Sequence, residues 1–259
     1  MVPQISVVLC TFNRADRVVG AIESILGQHG ADLELVVVDD GSTDATPEVL
    51  AGIDDPRLRV VRKLNGGLST ARNAGLAVAS APWVVFIDDD DRALPGWLAA
   101  YVGLAADESV GIACCGSQFV DPDGNEVFTA EPIPLGPLYD EVVGSTVAGT
   151  FAVRTDVARR AGGYLDGLGT RHQTELFIRL LAVASADGLG VAQVADPLIR
   201  IEARRATDRP GVNPRRLYDG TRWIIARHPT RFAGRARHIA RFEGVAGTNA
   251  ARLGDWRAA

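Results

Sequence analysis

Residues 5–14 read ISVVLCTFNR and residues 34–44 read ELVVVDDGSTD. Each segment is a run of β-branched and aliphatic residues that ends in polar residues, which is typical of a buried strand followed by a polar loop. The intervening segment carries Val18, Ile22 and Ile25 at helical spacing. This order predicts a strand, a helix and a second strand, the repeating unit of a parallel sheet that is covered by helices.

The same alternation continues along the chain. Thr46 followed by Pro47 predicts a helix start, because threonine caps helices and proline is tolerated in the first turn. Residues 58–62 and 83–87 are predicted strands, and the alanine-rich residues 69–80 between them are a predicted helix. We therefore expect an α/β fold with a Rossmann-like, mostly parallel sheet that is flanked by helices.

The second half of the chain has a less regular pattern. Its predicted elements are a helix at 95–106, strands at 110–120, 151–153 and 198–201, and a helix at 172–184. Residues 131–149 hold several prolines and glycines without a clear period, which predicts a loop over a site. From Asn213 onward the chain is predicted to be helical and arginine-rich. We divide it into a domain over residues 1–210 and a C-terminal helical extension over residues 211–259.

Composition narrows the class of protein. Of 259 residues, 47% are apolar and 23% are charged, which is typical of a soluble globular protein. No apolar run reaches the roughly 18–20 residues that a membrane-spanning helix needs. The first residues have no basic region ahead of their apolar stretch, so they do not indicate a signal peptide. The three cysteines cannot all pair, and we expect reduced thiols in a cytoplasmic protein.

Charge is distributed unevenly. Residues 201–259 hold 13 of the 27 basic residues and only 5 of the 32 acidic ones. We expect these arginines to lie on solvated helices that cover the domain. Binding of nucleic acid is not expected, because the acidic remainder of the chain would repel a polyanion. Peripheral contact with an anionic membrane or a lipid-linked acceptor is the alternative.

Polar residues follow three of the predicted strands. They lie at 11–14, 39–42 and 88–91. Ligands bind beyond the carboxyl ends of the strands in open parallel sheets, so these segments are expected to form one site.

The third of these segments is a run of four carboxylates, Asp88 to Asp91. Adjacent like charges repel, and a hard divalent cation such as Mg²⁺ or Mn²⁺ removes that cost. A solvated acidic turn is the structural alternative. In the second segment, Asp40 either stabilises a turn or recognises a base. Phe12 either stacks on that base or simply packs against other protein side chains. Arg72 either binds a phosphate or lies on the protein surface.

The combination of segments resembles the family 2 glycosyltransferases, which are inverting enzymes of the GT-A fold. The matching segments are ISVVLCTFNR (5–14), ELVVVDDGSTD (34–44), NGGLSTARNAGL (65–76) and FIDDDDRALPGWL (86–98), followed by the weaker ARRAGGYLDGL (158–168) and ELFIRL (175–180). The resemblance covers roughly residues 4–202.

The resemblance implies a metal-assisted transferase that takes a sugar from a nucleotide diphosphate, UDP or dTDP, and passes it to an unidentified acceptor. Residues 1–92 would bind the nucleotide and residues 93–210 the acceptor. The implied nucleotide-binding residues are Thr11, Phe12, Arg14, Asp40, Arg72, Asp88 and Asp89. The implied metal ligands are Asp90, which binds directly, and Asp88.

The chain departs from the family at the catalytic base. The family's Glu-Asp pair falls on His172 and Gln173, and a glutamine side chain does not accept a proton near neutral pH. Glu175 is the first candidate for the base, followed by His172 and Asp166. Glu175 has a structural alternative as the partner of Arg179 one helical turn on. Gln173 also leaves open a non-catalytic protein that binds nucleotide sugars.

Overall fold

The computed structural model describes residues 2–168, 170–202 and 214–233. Its first half alternates strands and helices as predicted. The elements are β1 (Ile5–Thr11), α1 (Val18–Leu26), β2 (Leu33–Asp39), α2 (Thr46–Ala51), β3 (Leu58–Arg62), α3 (Leu68–Val78) and β4 (Trp83–Asp88). These four strands pair in parallel in the order β3-β2-β1-β4.

Both faces of β1, β2 and β4 are buried, which is why these three strands read as continuous apolar runs. Val8 and Val36 lie in the core on the side of α3, whereas Val7 and Leu35 lie in the core on the side of α1. Gly75 of α3 leaves no room for a side chain, because an added Cβ would lie 2.3 Å from Val8. The helix therefore packs directly on the middle of the sheet.

The second half extends the same sheet. Its elements are β5 (Arg92–Ala93), α4 (Trp97–Ala105), β6 (Val110–Val120), β7 (Glu126–Ala130), β8 (Ile133–Pro134), β9 (Val143–Gly144), β10 (Phe151–Arg154), α5 (Thr155–Arg160), α6 (His172–Ala186) and β11 (Gly190–Glu202). Beyond β4 the order is β10-β6-β11-β5, with β7 paired to β6. β10 is antiparallel to both neighbours, whereas β6 and β11 are parallel. Parallel pairing thus holds for the first four strands, and the second half is mixed.

Two segments differ from their sequence-based predictions. The last strand begins at Gly190 rather than at residue 198, and shifts of register along it accommodate its proline. The predicted loop at 131–149 contains the antiparallel pair β8–β9 and a 3-10 turn at Pro137–Tyr139. Leu138 and Tyr139 are buried, and the Tyr139 ring meets Phe177 of α6 edge to face. Aromatic packing therefore gives this segment structure that its composition does not predict.

Part of the C-terminal extension belongs to the core. It forms α7 (Pro214–Arg227) and α8 (Pro229–Phe232). Ile224 and Phe232 are buried in the same apolar cluster as α6. Arg231 forms an ion pair with Asp140 in the segment that precedes β9. The predicted helices beyond residue 233 lie outside the described residues.

Within the described residues, no helix combines the length and the hydrophobicity needed to cross a bilayer. Cys10, Cys114 and Cys115 are buried and form no disulfide. Burial raises the pKa of each thiol to about 12. The three cysteines therefore stay protonated at neutral pH and pack as small apolar groups.

Candidate functional site

The polar strand ends meet at one edge of the sheet. Thr11 of β1 pairs in register with Asp39 of β2, and Cys10 pairs with Asp88 of β4. Asn13 joins the loops after β1 and β2, because its side chain accepts a hydrogen bond from the Thr43 amide at 2.8 Å. The three polar segments therefore form the single site that the sequence predicts.

The acidic run divides into two parts. Carboxylate oxygens of Asp88, Asp90 and Asp91 lie within 4.8 Å of one another. Asp89 instead turns inward and accepts a hydrogen bond from the Thr11 hydroxyl at 2.7 Å. Burial raises the pKa of Asp89 to about 6, although the nearby Arg14 opposes the rise. Three clustered carboxylates suit a hard divalent cation, so the structure brings together the two predicted ligands and adds Asp91.

Arg72 lies in the floor of the site. It is 1% exposed, and its Nη2 atom donates to Asp88 Oδ1 at 2.6 Å. Its guanidinium lies over the Tyr164 ring, 4.9 Å from the centroid. The Gln173 amide oxygen accepts from Nη1 at 3.1 Å and from Nη2 at 2.8 Å, in the amide orientation that satisfies both groups. The arginine is thus a buried site residue and not a surface one.

Asn73 holds the backbone of Tyr164, whose ring lies under Arg72, and it is not among the predicted site residues. Its side chain donates to the backbone oxygen of Tyr164 and accepts from its backbone amide, both at 2.7 Å. An added Cβ at Gly163 would lie 2.4 Å from the Asn73 side chain, and Gly163 also has a positive φ of 63°. The glycine pair before Tyr164 was the signal for this close approach.

Asp40 is also buried and is held by the loop after β3. Its carboxylate accepts from Lys63 Nζ at 2.5 Å, from the Gly67 amide at 2.7 Å and from the Gly66 amide at 3.1 Å. Phe12, by contrast, is 44% exposed at the rim. Asp40 is therefore a buried acceptor, whereas the Phe12 ring is accessible to a ligand.

His172 begins α6, beside the buried arginine. Its ring makes a hydrogen bond to the backbone of Leu168. Burial, followed by the positive charge of Arg72, holds the pKa of His172 below its usual value. The imidazole is therefore neutral at pH 7, and a neutral imidazole retains one nitrogen that accepts a proton.

Glu175 is buried and paired with basic residues. It is 1% exposed and accepts hydrogen bonds from Arg179 Nε at 2.8 Å and Nη2 at 2.6 Å. His228 Nε2 lies 3.0 Å from Oε1, the oxygen that also accepts from Arg179 Nε. Burial alone would raise the pKa of Glu175, but the hydrogen bonds from His228 and Arg179 outweigh it and lower the pKa. This geometry corresponds to the pairing alternative and argues against Glu175 as the base, while Asp166 is exposed.

Comparison with known proteins gives the same family as the sequence resemblance for the N-terminal part of the chain. Residues 6–159 match Glycosyl transferase family 2. Succinoglycan biosynthesis protein ExoO of Rhizobium meliloti (strain 1021) is 40% identical over 127 residues, covering 49% of this chain and 36% of that protein. Putative teichuronic acid biosynthesis glycosyltransferase TuaG of Bacillus subtilis (strain 168) is 27% identical over 182 residues, covering 69% of this chain and 72% of that protein. The match to ExoO therefore spans little more than a third of its length.

Solved structures share the fold over nearly the whole chain. S. aureus TarS 1-349 in complex with UDP-GlcNAc has a TM-score of 0.70 at 18% identity, covering 95% of this chain and 71% of TarS. Mannosyltransferase PcManGT from Pyrobaculum calidifontis, in complex with GDP-Man and Mn²⁺, has a TM-score of 0.66 at 21% identity. The match covers 99% of this chain and 76% of PcManGT. The predicted GT-A fold is thereby confirmed. With a family match that spans more than half of its residues, this chain belongs to glycosyl transferase family 2.

Proposed function

We propose that this chain transfers a sugar from a nucleoside diphosphate to an acceptor, with inversion at the anomeric carbon. The observation that carries the proposal is the convergence of Asp88, Asp90 and Asp91 beside the buried Arg72. A departing diphosphate carries negative charge, and a cation site beside a buried guanidinium opposes that charge. The similar structures that hold UDP-GlcNAc and GDP-Man support this class of donor.

Within this proposal, residues 1–92 bind the donor and its base is uracil or thymine. Asp40 is the acceptor for the ring N–H, and the exposed Phe12 contacts the ring. Thr11, Arg14 and Asp89 complete the nucleotide site, with the Thr11 hydroxyl donating a hydrogen bond to Asp89 and the charge of Arg14 close to that carboxylate. Residues 93–210 carry the acceptor site, and a lipid-linked acceptor would also bring the arginine-rich C-terminal region to a membrane surface.

A divalent cation, Mg²⁺ or Mn²⁺, fits the three clustered carboxylates, with Asp90 and Asp88 as its principal ligands. When bound, the cation supplies positive charge to the diphosphate. The Mn²⁺ held by PcManGT supports this assignment. Arg72 supports the cluster from the protein side, because its ion pair fixes the orientation of the Asp88 carboxylate.

An inverting displacement needs a base for the acceptor proton, and we assign that role to His172. Its hydrogen bond to the Leu168 backbone fixes one ring nitrogen as the donor and leaves the other as the acceptor. Gln173 is bound to Arg72, and Glu175 is enclosed by Arg179 and His228. His172, which interacts electrostatically with Arg72 and Asp88, is therefore our candidate near the start of α6 in a form able to take a proton.

Calorimetry with UDP tests the donor and the metal together. Wild type should bind UDP at least about 10-fold more tightly with Mn²⁺ than without, and Asp90→Asn should lose that difference while remaining folded. The matched control is Asp54→Asn, an exposed carboxylate ahead of β3 at the opposite end of the sheet. UDP binding that is indifferent to both the metal and Asp90 would refute the metal assignment. Metal-dependent binding without release of UDP from UDP-sugars in an acceptor screen would favour the non-catalytic alternative.

A further inference from the structure

Lys63 is the only lysine in the chain, and it lies directly after β3 at the edge of the site. Its Nζ atom donates to Asp40 Oδ1 at 2.5 Å, to the Leu64 carbonyl at 2.7 Å and to Thr70 Oγ1 at 3.0 Å. An ammonium group has three N–H donors, so all three are used. The side chain is still 24% exposed, which places it between Asp40 and the solvent.

The Asp40 carboxylate is satisfied before any ligand arrives. Besides Lys63 it accepts from the amides of Gly66 and Gly67, at 3.1 and 2.7 Å. These amides are fixed by the backbone, because Gly67 has a positive φ of 87° and is the N-cap residue of α3. The Lys63 side chain rotates more freely than either amide. It is therefore the partner that a ligand N–H would displace.

We propose that Lys63 recognises the base of the donor nucleotide. This inference rests on the proposed function and on Asp40 as the acceptor for the ring N–H of the base. On binding, the ring N–H takes the place of Lys63 on Asp40, and Lys63 turns to the carbonyl oxygen beside that N–H. The exchange conserves hydrogen bonds: Asp40 keeps its donors, and Lys63 keeps a negatively polarised acceptor. It requires a base in which an N–H is adjacent to a carbonyl.

Uracil and thymine present that edge, and guanine does so with a different ring. Cytosine and adenine present a bare ring nitrogen at the corresponding position. That nitrogen carries no proton for Asp40, so Lys63 stays on the carboxylate, and the ring nitrogen and the carbonyl of the base are left without a donor. Leaving buried polar groups unpaired is costly, and we expect about 10- to 100-fold tighter binding of UDP than of CDP.

Calorimetry with UDP and CDP in the presence of Mn²⁺ tests the inference. In Lys63→Met the ratio of the two affinities should fall by about 3- to 10-fold, because UDP loses the Lys63 donor to its carbonyl while Asp40 still selects for the ring N–H. Lys63→Arg, which keeps a charged donor, should retain most of the preference. The matched control is Arg59→Met, which removes an exposed charge from the same strand and should leave the ratio unchanged.

The outcomes separate the two proposals. If wild type binds no nucleoside diphosphate, the proposed function fails. If it binds UDP but Lys63→Met weakens UDP and CDP by the same factor, only the reading of the base by Lys63 is overturned. A second measurement needs no variant, because amine acylation can be followed at the single lysine by peptide mass. Saturating UDP should slow acylation of Lys63 by about 10-fold and CDP should not; equal protection would contradict the inference.

Discussion

The amide oxygen of Gln173 accepts hydrogen bonds from both terminal nitrogens of Arg72, at 3.1 and 2.8 Å. Arg72 is buried and has Asp88 as its carboxylate partner. A neutral acceptor orients the guanidinium without cancelling its charge, whereas a carboxylate at the same position would form a second ion pair. Gln173 thus preserves a positive charge beneath the proposed diphosphate site.

Gln173→Glu should therefore weaken the binding of UDP by about 10-fold, because the new carboxylate draws Arg72 away from Asp88 and repels the diphosphate. Binding of uridine, which has no phosphate, should change little. Calorimetry for UDP and ligand-observed NMR for uridine make the comparison. Gln193→Glu is the matched control, since it adds the same charge at an exposed position of β11. Equal losses for UDP and uridine would contradict this account of Gln173.

Glu175→Gln should destabilise the protein while leaving turnover close to that of wild type. Removing one member of a buried ion pair costs roughly 3 kcal/mol, and here Arg179 and His228 both lose a negatively charged partner. Denaturant unfolding and the rate of UDP release measure the two effects separately. A large loss of turnover in a folded Glu175→Gln variant would restore Glu175 as a candidate base.

The Glu175 carboxylate should also make the free energy of unfolding depend on pH. The pKa of Glu175 in the folded protein lies below its ordinary value of 4.5. A lowered pKa means that the stabilisation is complete above the unfolded-state pKa and is lost as the pH falls through the folded-state pKa. The difference in unfolding free energy between wild type and Glu175→Gln should stay constant above about pH 5 and shrink below it. A difference that is independent of pH down to pH 3 would contradict the assignment.

The extent of sequence-based prediction differs between the two halves. In β1, β2 and β4 both faces are buried, so each strand is an uninterrupted apolar run with a clear polar end. The acidic run and Asp40 could be recognised for that reason. The second half builds its sheet from antiparallel and irregular strands such as β11, whose burial alternates and whose boundaries carry weaker signals.

The pairings within the site could not be predicted, because they join residues that are remote in the chain. Lys63 and Asp40 are 23 positions apart, and Asn73 and Tyr164 are 91 apart. Periodicity describes one element at a time, whereas these contacts depend on how elements meet. The inward turn of Asp89 likewise depends on Thr11 in the neighbouring strand.

Ile224→Ala tests whether the C-terminal helices are part of the fold. Ile224 is fully buried against the core that includes α6, so the truncation should cost about 2–5 kcal/mol of unfolding free energy. Chemical denaturation provides the measurement, and Thr230→Ala on the exposed side of α8 is the control. A cost below about 1 kcal/mol would mean that α7 is only loosely attached to the domain.

His172→Ala tests the proposed base most directly. Removing a general base should lower turnover by roughly 10²–10⁴-fold with little change in the affinity for the donor. A base must be unprotonated to act, and the pKa of His172 lies below its usual 6.5. Turnover of wild type should therefore be flat near neutral pH and fall as the pH drops below the His172 pKa, about tenfold per unit. Initial rates of UDP release between pH 5 and 8, with saturating donor and acceptor, give the profile.

The exposed His29 supplies the matched control, because His29→Ala removes an imidazole that lies in the turn after α1. This variant should keep both the rate of wild type and its fall in turnover at low pH. The residual activity of His172→Ala should not show that fall. If turnover of His172→Ala still falls at low pH, the titrating group is a residue other than His172. If turnover of that variant also stays near the wild-type value, the acceptor proton is taken by a residue other than His172.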